Sequence, residues 1–74
     1  MIVALSDFET IDVYTPWGKE RGIFYLGQTF MPIKVYKGIH EAIAACRRDL
    51  DAGLLSIVVT ESNRFSVWWQ LPDL

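Results

Sequence analysis

The chain has 74 residues, enough for one small domain with one core, since each half alone would be of a size that normally needs disulfides or a metal to fold. Hydrophobic residues make up 51%, aromatics 14% and charged residues 22%, a balance that excludes intrinsic disorder. The net charge of −2 supplies no field that would concentrate the protein on nucleic acid or anionic lipid, so neither duplex DNA nor a membrane is an expected partner.

Met1 to Leu5 lacks a basic segment and meets Asp7 too soon to read as a secretory signal. Phe8 to Thr15 is rich in β-branched and aromatic residues, with Ile11 and Val13 on one face and Asp12 and Tyr14 on the other, and reads as a strand. Pro16-Trp17-Gly18 supplies a turn, and Gly22 to Leu26 then runs apolar on both faces as the second arm of a hairpin. Gly27 and Pro32 bracket a stretch that either bends one long strand or separates two, because proline cannot donate to a central ladder. Ile33 to Tyr36 alternates as a further strand, which Gly38 ends.

One helix follows. Ile39, Ala42, Ile43, Cys46 and Leu50 recur at helical spacing and form one apolar stripe. Glu41 near its start and Arg47 and Arg48 later suit the helix dipole, and Gly53 is placed to close the helix in the left-handed conformation, which predicts a helix over 39–52. Leu54 to Thr60 and Phe65 to Gln70 form two strands across the polar loop Glu61-Ser62-Asn63-Arg64, and Leu71 to Leu74 forms an irregular tail. The expectation is a single α+β domain over 1–74, with one helix packed on a small, mostly antiparallel sheet of four to five strands. Its order is strand, strand, strand, helix, strand, strand, arranged as a β-grasp or a meander.

Residues able to carry chemistry are few. Cys46 is the single cysteine, so no intramolecular disulfide can form, and a reducing cytoplasm is the simplest compartment. Cys46 and His40 would have to act as nucleophile and base, yet six helical positions place them roughly 120° apart around the axis. Cys46 therefore reads as a small core residue and His40 as a surface histidine. One His and one Cys cannot make a structural zinc site, and no glycine-rich phosphate loop or Gly-x-Ser-x-Gly elbow is present. No enzyme activity, metal or cofactor is expected.

The aromatics carry more information. Trp68 and Trp69 are adjacent in a strand and must project to opposite faces. If Phe65, Val67 and Trp69 face the helix together with Leu55, Ile57 and Val59, then Trp68 points outward beside Ser66 and Gln70. An outward tryptophan near Tyr36 and Tyr14 is the kind of rigid anchor that interfaces use, and Trp68, Tyr36, Tyr14 and Trp17 form the candidate interface. The expected function is a non-enzymatic interaction module or small accessory subunit, binding a protein partner or a second copy of itself. A single-stranded nucleic-acid binder with an aromatic sheet face, and a small enzyme whose site is shared across a dimer, are the alternatives.

Overall fold

Two-residue turns set the register of the sheet. They join β2 (Thr10–Thr15) to β3 (Gly18–Tyr25), β3 to β4 (Gln28–Tyr36), and β5 (Ser56–Glu61) to β6 (Arg64–Gln70). Ser62 and Asn63 in the last turn both have positive φ, as do Leu26 and Gly27 between β3 and β4, which is the turn chemistry that matches strand twist. Leucine is a costly choice there: Leu26 holds φ 50° while 76% exposed. Asparagine tolerates this conformation better, so Leu26→Asn should stabilise the protein by about 1 kcal/mol. Urea denaturation reads this directly, and a lower midpoint would show that the leucine side chain makes a stabilising contact.

The computed structural model describes residues 2–71; the tail expected after Gln70 lies, beyond Leu71, outside the described residues. Among the described residues the helix α1 (Ile39–Asp51) agrees with the stripe and the stop signal. Its end is closed by Gly53 at φ 84°, with the Gly53 N–H donating to the Leu50 carbonyl at 3.0 Å and the Leu54 N–H to the Asp49 carbonyl at 2.8 Å. The protein is α+β, but with six strands rather than four or five, in the order β1-β5-β6-β4-β3-β2. The added strand is β1 (Ile2–Ala4), which pairs in parallel with β5. β4 is continuous and accommodates Pro32 by a register shift between Pro32 and Lys34. β4 and β5 both run antiparallel to β6 and so parallel to each other, making α1 a crossover over the intervening strand. The order is neither a meander, which has no helical crossover, nor a β-grasp, because β6 pairs antiparallel with β4, the second strand of the preceding hairpin, rather than parallel with its first.

The sheet must curl. Its first and second strands lie at opposite edges, about 24 Å apart if six strands at roughly 4.8 Å spacing lay flat. The chain from Ala4 to Thr10 reaches at most about 21 Å when extended, and the 3-10 turn at Leu5–Asp7 shortens it further. The connection therefore draws the two edges toward each other across one face. Arg21 on β3 accordingly reaches Glu61 on β5, at 3.3 Å, across the two strands between them. Inside the curl lies one core, formed by Leu5, Ile23, Phe30, Ile57, Val59 and Trp68, with Phe8 and Tyr25 meeting edge to face at its margin. A second core lies between the other face and α1: Ala42, Ala45 and Cys46 of the helix meet Val58 and Val67, with Tyr36, Phe65 and Trp69 around them.

Two expectations about facing are corrected here. Phe65, Val67 and Trp69 lie on the helix face as expected, but Ile57 and Val59 do not join them, and Leu55 lies exposed before β5 begins. The two-residue turn pairs Ile57 with Trp68 and Val58 with Val67, so Ile57 and Val59 share the inner face with Trp68. Trp68 is consequently not outward: it is 0% exposed, its indole N–H donating to the Ser66 hydroxyl at 2.9 Å, which in turn donates to the Val59 carbonyl at 3.3 Å. The Arg21 guanidinium lies 5.6 Å from the ring centroid and covers the open end of the curl.

Candidate interaction surface

A helix is about 10 Å wide, and strands are spaced by about 4.8 Å, so one helix covers two or three strands of a six-stranded sheet. In this protein α1 packs on β5, β6 and β4. The same face therefore continues, uncovered, over β3 and β2.

Pairing identifies what this open half-face displays. Thr29 opposite Phe24, and Met31 opposite Trp69, fix the helix-side positions on β3 and β4, and Ile11 opposite Gly22 carries the assignment to β2. Ile11, Val13, Phe24 and Met31 share the surface with Glu20, which pairs with Val13, and Ile33 lies beside them at the bulge. Phe24 is 59% exposed and Ile11 40%, while Val13 and Met31 are half-buried. Gly22 lies among them without a side chain, so Val13 and Ile11 lean across it: a Cβ built there would stand 2.5 Å from Val13 Cγ2 and 3.0 Å from the Phe30 carbonyl oxygen.

At the hairpin tip this surface runs into a groove of about 300 Å³ lined by Val13, Tyr14, Pro16, Trp17, Met31 and Leu71. Tyr14 and Trp17 are 80% and 78% exposed. Of the four residues expected at an interface, these two are brought together. Tyr36 is elsewhere, half-buried against the second core with the Lys34 ammonium 5.2 Å from its ring centroid, and Trp68 is enclosed on the opposite face. The signal for Ile11 and Val13 was present as period-two alternation, whereas Phe24 lies in a run that is apolar on both faces. What made them a surface was the narrowness of the helix relative to the sheet.

Of Cys46 and His40, the cysteine is engaged structurally. Cys46 is buried, its thiol donating to the Ser56 carbonyl at 3.3 Å and accepting from the Ser56 hydroxyl at 3.2 Å. His40 is exposed on the first turn of α1. Asp49 accepts the Trp69 indole N–H at 2.9 Å, which ties helix to sheet, and Asp12 lies 3.9 Å from the Lys19 ammonium. Among the described residues no group of three or more His, Cys, Asp or Glu side chains is placed to hold a metal ion, and no helix is long and apolar enough to cross a membrane. No protein-family model, curated protein or solved structure matches the chain.

Proposed function

We propose that the protein is a non-enzymatic interaction module of the cytoplasm that associates with a second copy of itself through the uncovered half of its helix-side sheet face. The observation that carries this is Phe24, a large apolar side chain near the end of β3, 59% exposed on the same face as Ile11, Val13 and Met31. A small domain has little apolar surface to spare, since its whole stability is only about 4–11 kcal/mol. Exposed apolar side chains on a rigid strand surface, running into the groove beside Trp17 at the hairpin tip, are the composition that protein interfaces favour. Duplex DNA is not part of this function, because the acidic residues Glu9 and Asp12 border the same edge.

Sedimentation equilibrium should show self-association at tens of micromolar or below. Phe24→Lys places a charge on the face without touching either core, and should weaken association by about 2 kcal/mol or more while the urea midpoint of the monomer is kept. A monomer at millimolar concentration, or association unaffected by Phe24→Lys, would overturn the proposal.

A further inference from the structure

Apart from the half-face around Phe24, we infer that the groove between α1 and β4 binds an acidic peptide segment of another protein. One apolar side chain of that segment enters the groove against Tyr36 and Trp69, and its carboxylates meet Lys34 and Arg48. The groove holds about 280 Å³ and is lined by Lys34 and Tyr36 of β4, Val67 and Trp69 of β6, and Arg48 and Asp49 of α1. That volume falls below the roughly 300–1,000 Å³ of pockets that enclose small-molecule ligands, but it accommodates one side chain of a longer segment.

The bulge in β4 brings the lysine there. Counted by strict alternation from Met31, which lies on the helix side opposite Trp69, Ile33 and Val35 would face the helix, and Lys34 and Tyr36 would face the inside of the curl. The register shift after Pro32 reverses this. Lys34 stands opposite Val67 and Tyr36 opposite Phe65, both on the helix side, while Ile33 and Val35 are left 44% and 54% exposed. Bulges re-aim side chains in this way beside active sites, and a local rule broken at a cost in stability marks a place used for something other than folding.

Nothing within the chain uses the two cations. Among the described residues Lys34 and Arg48 take part in no ion pair, and the carboxylate beside them, Asp49, accepts the Trp69 indole N–H at 2.9 Å instead. The Lys34 ammonium rests 5.2 Å from the Tyr36 ring centroid, which holds it at the groove before any partner arrives. Carboxylates on either side of an apolar side chain complement this arrangement in charge and in size. A single nucleic-acid strand fits it less well, since it needs a longer basic track and open rings for stacking, whereas Tyr36 and Trp69 are half-buried and the chain is acidic overall.

The probe is a glutamate-rich copolymer of glutamate and tyrosine, titrated into the full chain at low salt and followed by NMR. The amides of Lys34, Tyr36 and Arg48 and the Trp69 indole N–H should shift, and Lys34→Glu and Arg48→Glu should each weaken binding by about ten-fold or more. Lys34→Gln and Arg48→Gln should weaken it less, and serve where a charge reversal disturbs the fold. Phe24→Lys, which disrupts the self-association proposed above, should bind the copolymer as the parent does; loss of binding in that variant would move the site to the half-face and overturn the groove. Absence of shifts at these residues, shifts that survive both charge reversals, or tighter binding of an oligothymidylate at the same residues would also overturn it, the last in favour of a single-stranded nucleic acid.

Discussion

Trp68→Ala is expected to unfold most of the protein. The indole is fully enclosed by Leu5, Ile23, Phe30, Ile57 and Val59, which come from widely separated parts of the chain. Truncating a buried tryptophan costs about 3–5 kcal/mol in lost transfer energy and residual cavity. Against a total of about 4–11 kcal/mol, that leaves a marginal fold. Trp68→Phe should be much milder: it keeps most of the apolar volume and removes only the N–H donated to Ser66, whose hydroxyl still donates to Val59. Its cost should be about 1–2 kcal/mol. Urea denaturation followed by circular dichroism, on both variants, reads the difference. A Trp68→Ala variant with the parent midpoint would mean that the ring lies outside the curl.

The second large effect is expected at Gly22. Alanine there reduces the entropy of the unfolded chain, which alone would stabilise by about 0.4–1 kcal/mol. The added methyl, however, meets Val13 Cγ2 at 2.5 Å and the Phe30 carbonyl oxygen at 3.0 Å. Valine has little rotamer freedom with which to move away, and the carbonyl belongs to the backbone of β4. Overpacking of this kind costs about 1–3 kcal/mol and exceeds the entropic gain, so Gly22→Ala should lower stability. Val13→Ala removes the closest clash, and the double variant should be more stable than additivity of the two single variants allows. A double-mutant cycle in urea measures that coupling. Additive effects would show that the Phe30 carbonyl, not Val13, sets the limit.

These two sites show which parts of the molecule were legible from local pattern. The helix at 39–51 follows from the spacing of Ala42, Ile43 and Cys46 and from Gly53, whose role depends on its own φ and on carbonyls one turn away. The hairpins follow from Pro16-Trp17-Gly18 and from Ser62-Asn63. That Trp68 and Trp69 oppose each other follows from the pleat alone. β1 was not legible, because three apolar residues carry no periodicity and become a strand only when β5 supplies a ladder.

The interface expectation shows the same division at the level of function. Trp17 lies in, and Tyr14 just before, a turn marked by Pro16 and Gly18, and a turn at the end of an edge hairpin is exposed for local reasons. Trp68 was misplaced because alternation states only that neighbours face opposite ways. A face becomes interior when something distant covers it, and here the cover is the curl of the sheet that brings Leu5, Ile23 and Arg21 around the ring. Phe24 is the converse, an apolar residue left outside because one helix is too narrow to reach β3. Sequence by itself therefore determined the helix, the hairpin turns and the opposition of neighbouring side chains, since those depend on interactions within a few residues. Only the tertiary structure decided which faces are covered, because that depends on strand order and sheet curvature, set by contacts between residues far apart in the chain.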